Sequence, residues 1–151
     1  PILFYDKISN IIGACHAGWR GTINGIVEAT VASMEDLGSK RKNIISIIGP
    51  AIHKESYEIR EDVASVVKET KCYKNNHSIL FQVKKDKYLF DLPLLVKENL
   101  KFSKISDVGD VNMNTYQENN LFFSHRKSTQ KNLLKQGKTG RHISVIGLIN
   151  N

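Results

Sequence analysis

Four reactive side-chain types crowd into six residues of this chain. Gly13-Ala14-Cys15-His16-Ala17-Gly18-Trp19-Arg20-Gly21-Thr22 carries a thiol, an imidazole, an indole and a guanidinium between Cys15 and Arg20. An imidazole can move a proton or ligate a metal near neutral pH, and a guanidinium binds oxyanions through two parallel hydrogen bonds. The glycines at 18 and 21 permit tight turns. The apolar run Ile11-Ile12-Gly13-Ala14 reads as a buried strand leading into the turn, and an amphipathic helix leaves it. A strand, a Gly-rich turn and a helix in that order lift side chains onto the C-terminal edge of a sheet. The alternative is that Cys15 is a small core residue and Trp19 a packing anchor. His16, at the strand's end beside the turn, is the residue that points to a site. Cys15 faces the opposite side if residues 14–16 are extended.

Two further stretches have chemical content. Gly49-Pro50-Ala51-Ile52 followed by Ser56-Tyr57-Glu58-Ile59 is a polar and aromatic loop directly after a strand, a place where function concentrates. Phe122-Phe123-Ser124-His125-Arg126 is followed by Thr139-Gly140-Arg141. No acidic residue occurs after Glu118, whereas Arg126, Lys127, Lys131, Lys135, Lys138 and Arg141 contribute +6 of the net charge of +7. Such a segment attracts anions; a solvated lysine-rich loop is the alternative. A nucleic-acid-binding module would use the same charge, but the stretch has no interleaved aromatics on which bases could stack. No short metal motif of the CxxC or HExxH kind is present, so the residues alone argue weakly for a metal.

These residues need elements to position them. At 151 residues, 40% hydrophobic and 25% charged, the chain reads as one globular domain with a substantial core. No apolar run reaches the length of a membrane span, and no signal peptide is visible. Two cysteines make no disulfide framework, and a cytoplasmic setting is expected. Strands are expected at 1–5 and 11–16 as a hairpin, at 44–48 in the centre of a sheet, and around 105–108 and 142–148. Thr22 is expected to cap a helix over 23–37 that Gly38 ends. A second helix opens at Glu61 and closes near Lys68 and Lys71, burying Val63, Val66 and Val67. A hairpin brackets Lys84-Lys85-Asp86-Lys87, and Asp91 caps a third helix with Pro93 in its first turn. Residues 72–78 read as a polar loop, and Leu121-Phe122-Phe123 as buried. The fold class is α+β, a mixed β-sheet core with helices packed outside.

His16-Ala17-Gly18-Trp19-Arg20-Gly21-Thr22, together with the other two stretches in the same order, resembles the signature of the laccase-domain or purine nucleoside phosphorylase family, the YfiH-like proteins. The resemblance runs over nearly the whole chain. It implies layered sheets flanked by helices, with a zinc-dependent phosphorolysis of adenosine, inosine and methylthioadenosine. Adenosine deamination is attributed to the family too, and an older polyphenol-oxidase label invokes copper. Zinc fits the residues better, because the chain lacks the clustered histidines of multi-copper centres. In the family, two histidines and a cysteine converge on the metal, and the histidine of the HAGWRG motif corresponds to His16. The other His and the Cys, the latter in an Ala-Asp-Cys stretch, precede the part of the family that Pro1 begins to match. Neither Cys15 nor Cys72 corresponds to that ligand. Arg20, Arg126 and Arg141 are the candidate phosphate holders, with purine nucleoside and phosphate as partners and no membrane. The chain is therefore expected to be an N-terminally truncated domain. Alternatively it is an inactive remnant of the enzyme, in which strand 1–5 lacks a sheet neighbour and exposes an apolar edge.

Overall fold

The structure is a computed structural model that describes residues 1–118, 120–130 and 139–149. The β-branched alternation Ile44-Ile45-Ser46-Ile47-Ile48 forms a strand with residues 44, 46 and 48 buried and 45 and 47 outward. With β1 (Ile2–Asp6), β2 (Ile11–Cys15), this β3 (Ile44–Ile48) and β7 (Asp107–Asp110) it makes a four-stranded sheet of order β2-β1-β3-β7. The β1 strand is antiparallel to both neighbours, and β3 runs parallel to β7, so the sheet is mixed. A second sheet, β4 (Glu58–Arg60), β6 (Lys87–Phe90) and β5 (Leu80–Lys84), has order β4-β6-β5. Its β5–β6 hairpin turns through Asp86 in the left-handed region, as the charged run between two apolar pieces leads one to expect.

Helices cover one face of each sheet. Two of them are α2 (Ile26–Asp36), which buries Val27, Val31 and Met34, and α5 (Leu92–Phe102), which buries Leu92, Leu95, Val96 and Leu100. They pack with Ile2, Phe4, Ile44 and Ile48 in one core. The start of α5 is capped as expected: the Asp91 carboxylate accepts from Leu94 N at 2.9 Å, and Pro93 stands in the first turn. The second sheet places Ile59, Tyr88 and Phe90 in the same core with Ala64 and Val67 of α3 (Glu61–Lys68). Asp6 is an inward-facing carboxylate in β1. It accepts from Ile8 N at 2.9 Å and Ser9 N at 3.0 Å through Oδ1, and from Lys40 N at 3.1 Å through Oδ2. One buried anion thus closes the β1–β2 turn and ties it to the end of α2.

Several expectations are corrected. Thr22 is not a cap but the buried fourth residue of α1 (Trp19–Ile23), and the single helix over 23–37 is two helices. Asn24 and Gly25 separate them, because Gly25 at φ 86° leaves helical space. Gly38 does end α2, with φ 109° and Ser39 N bonded back to Met34 O at 2.9 Å. Lys71 opens a separate short helix, α4 (Lys71–Asn75), which buries Cys72 where a polar loop is expected. Val66 is 45% exposed, and Ala64 takes its place in the core. β1 is paired on both edges, so no unpaired edge lies there; the outward apolar residues are Ile45 and Ile47, on a sheet face. Residues 142–148 form no strand. Leu121 and Phe123 are 61% and 56% exposed rather than buried. The basic connection begins as a helix, α6 (His125–Gln130), and Lys131, Lys135 and Lys138 fall outside the described residues. Among the described residues no helix is long and apolar enough to cross a membrane.

Candidate active site

The β2 strand ends at Cys15 and hands the chain to His16, which is exposed, and Ala17, which is buried. The imidazole folds back over the turn. A Cβ on Gly18 would lie 3.0 Å from His16 Nε2, so a side chain at 18 would push the imidazole aside by a few tenths of an ångström. Gly18 O in turn accepts from both Thr22 N and Thr22 Oγ1 at 2.9 Å. Both bonds close the first turn of α1 on its N-cap residue, directly after His16 and Ala17. Trp19 packs half-buried against the core, as the anchor reading had it, and the exposed Arg20 lies with its guanidinium carbon 4.5 Å from the indole centroid. Cys15 turns towards α2. Burial pushes its thiol up, opposed by a hydrogen bond with Thr30, so it is held as a thiol rather than a nucleophilic thiolate.

The second stretch contributes an aromatic column. Tyr57 is buried and stacks on the fully buried Phe90, with ring centroids 5.3 Å apart and planes at 29°. The guanidinium carbon of Arg126 stands 5.0 Å from the Tyr57 centroid. Burial pushes the Tyr57 phenol up, and the positive charges of Arg126 and Arg20 pull it back. Arg126 is thereby held beside Tyr57 by its charge and a side-chain hydrogen bond, and a guanidinium suits an oxyanion.

The third stretch closes the site. Ser124 Oγ accepts from Lys127 N at 3.3 Å at the start of α6, and Ser128 Oγ and Thr139 Oγ1 share a hydrogen bond of 3.2 Å that ties α6 to the segment carrying Arg141. His142 meets Phe122 edge-on, with centroids 5.5 Å apart.

All four residues singled out from the sequence, His16, Arg20, Arg126 and Arg141, line one cleft of about 1000 Å³. Tyr57 and Phe123 line it too. Neither had been singled out: Tyr57 lies inside a quoted motif with no role attached, and Phe123 has the composition of a core residue. A cleft this size holds a nucleoside-sized ligand. The donors for a metal are incomplete. Among the described residues no three His, Cys, Asp or Glu side chains stand together as a metal site. His16 is one imidazole, while a closed zinc site takes three or four protein ligands. These residues by themselves fit neither a zinc nor a copper centre.

A family model described as multi-copper polyphenol oxidoreductase laccase matches residues 1–149. The chain belongs to that family. Its similar relatives carry a different name. One is a purine nucleoside phosphorylase of Rickettsia conorii, 34% identical over 128 residues, covering 85% of this chain and 52% of the relative. Another is the purine nucleoside phosphorylase YfiH of Escherichia coli, 32% identical over 151 residues, covering 99% and 56%. Among solved structures, the hypothetical protein YfiH of Bacillus licheniformis superposes with a TM-score of 0.79 at 28% identity, over 86% of this chain and 49% of that one. YlmD of Geobacillus stearothermophilus gives 0.76 at 26% identity, over 85% and 48%. The α+β architecture is that of these proteins. The chain spans about half the length of the curated relatives it matches.

Proposed function

We propose that this laccase-family chain carries the phosphate and base side of a purine nucleoside phosphorylase site. The observation that carries the reading is the convergence of His16, Arg20, Arg126 and Arg141 on one cleft. The relatives' name supports it independently. In phosphorolysis a phosphate oxygen forms a bond to C1′ of the sugar while the C1′–N9 bond breaks. The bonding pair and a proton go to the purine, and the sugar leaves as its 1-phosphate. The protein must hold a polyanion beside the sugar in attacking geometry. Arg126, docked on Tyr57, and Arg141, tethered through the Ser128–Thr139 bond, are the groups assigned to that task, with Arg20 at the opposite motif. Adenosine, inosine and methylthioadenosine are the substrates of this reading, in the reducing cytoplasm, where the free thiols of Cys15 and Cys72 persist.

Zinc belongs to the reading only through His16, and deamination of adenosine would need that metal to be complete. The incomplete donor set favours a second reading for residues 1–151 taken alone: a folded part of the enzyme without turnover. One experiment separates the two. Zinc content and release of free base from adenosine or inosine are measured for residues 1–151 and for a polypeptide extended upstream to an Ala-Asp-Cys stretch and an earlier His. The expected result is weak zinc and no turnover in the first, and both together in the second, with His16→Ala abolishing them. Tightly held stoichiometric zinc with turnover in residues 1–151 would show that the ligands are other residues. An extended chain lacking both would refute the phosphorylase reading.

A further inference from the structure

Phe123 is an apolar ring that this chain leaves 56% exposed on the wall of the cleft that His16, Arg20, Arg126 and Arg141 line. Its neighbours Phe122 and Ser124 are half-buried and engaged, Phe122 by His142 and Ser124 by Lys127 N. The backbone behind the ring is arranged around it. A Cβ added to Gly140 would run into Cδ1, Cε1 and Cζ of Phe123, the last at 2.6 Å. With the ring where it is, only glycine fits at position 140. Gly140 needs no left-handed backbone, since it is absent from the glycines of positive φ. What it supplies at this position is room for the ring. Gly140 is flanked by Thr139, bonded to Ser128, and by Arg141, so the ring's position and that of a candidate phosphate holder are set by one short segment.

We infer that Phe123, backed by Gly140, is the stacking platform for the planar heteroaromatic base of the ligand. A partly exposed ring that lines a cleft and is approached closely by Gly140 can offer a π face to a base. Such stacking tolerates different bases, because every base has a π face. The cleft divides accordingly: guanidinium groups for the anion, a partly exposed phenyl ring for the base. This rests on the purine nucleoside reading and deepens it by naming the residue that holds the base.

The test uses the full-length polypeptide and two separate probes, adenosine alone and inorganic phosphate alone, titrated by calorimetry, with phosphorolysis followed in parallel. Phe123→Leu should weaken adenosine roughly 5- to 150-fold, the range for losing one base–aromatic stack, and leave phosphate affinity within about twofold. Phe123→Tyr keeps the ring and should stay close to wild type. Gly140→Ala should weaken adenosine in the wild-type background but not beside Phe123→Ala, because it acts by displacing the ring. Unchanged adenosine affinity in Phe123→Leu would overturn the inference and leave the phosphorylase reading standing. Equal losses of adenosine and phosphate would overturn it too, as general damage to the cleft. Ring-dependent adenosine binding without phosphorolysis would support the platform and refute the phosphorylase reading. Absence of adenosine binding in the wild type would overturn both.

Discussion

Replacing Gly13 with alanine should have opposite effects on stability in two backgrounds. Gly13 lies in β2, three residues before His16, and faces α2. A Cβ there would lie 2.8 Å from Sδ and 3.3 Å from Cγ of the buried Met34, where ordinary contact begins near 3.4 Å. Overpacking of this kind costs about 1–3 kcal/mol, and a flexible thioether puts it in the lower half of that range, at about 1.5 kcal/mol. Removing glycine's backbone entropy from a strand returns about 0.5–1 kcal/mol. Gly13→Ala should therefore destabilise the chain by about 0.5–1 kcal/mol. Met34→Ala removes the obstacle and leaves a cavity, at about 2–5 kcal/mol. In that background the new methyl enters vacated space, and its burial, about 0.8 kcal/mol, adds to the entropy gain. Gly13→Ala should then stabilise by about 1.5 kcal/mol, a coupling of roughly 2 kcal/mol across the cycle. Urea unfolding of the four proteins, compared at constant m value, reads these differences directly. Gly13→Ala costs of the same sign and size in both backgrounds would refute the packing of β2 on α2 described above, and with it the placement of the His16 turn.

The phosphate assignment predicts that Arg126→Lys and Arg141→Lys raise the Michaelis constant for phosphate, because lysine lacks the guanidinium fork; a change confined to nucleoside affinity would contradict it. Asp6 should make folding stability pH-dependent in acid. Burial opposes its charge, but the Ser9, Lys40 and Ile8 N–H groups outweigh that and hold its carboxyl below the usual carboxylate range. Its contribution is therefore full above the unfolded pKa near ~3.9 and is lost as pH falls through the lower folded value. Asp6→Asn should be less stable than wild type at pH 7, with the gap closing in strong acid; a gap independent of pH in urea melts would refute this. Arg41 bonds Glu28 twice, at 2.6 and 3.0 Å, Glu35 at 2.8 Å and Ser103 O at 3.1 Å. Arg41→Lys should cost at most about 1 kcal/mol, because both carboxylates are partly solvated, and should cost less in high salt.

Much of the local structure is written in the order of residues. The alternation at 44–48, the Asp91 cap with Pro93, the charged turn at 84–87 and the Gly38 helix end each follow from period, propensity or a backbone requirement within a few positions, and each appears in the structure. The His16 turn was legible for the same reason: its glycines and reactive side chains are neighbours in the chain. Tertiary structure alone decided the rest. Helical periodicity runs without interruption through Gly25, so the left-handed break between α1 and α2 is not visible in the pattern of apolar residues. Hydrophobicity assigns Val66, Leu121 and Phe123 to the core because it cannot distinguish a core ring from one on a cleft wall. Residues 16, 20, 57, 126 and 141 meet only because β1 lies between β2 and β3 while α6 returns over Tyr57. That meeting depends on pairings between distant segments, and a pairing between distant segments has no local sequence signal.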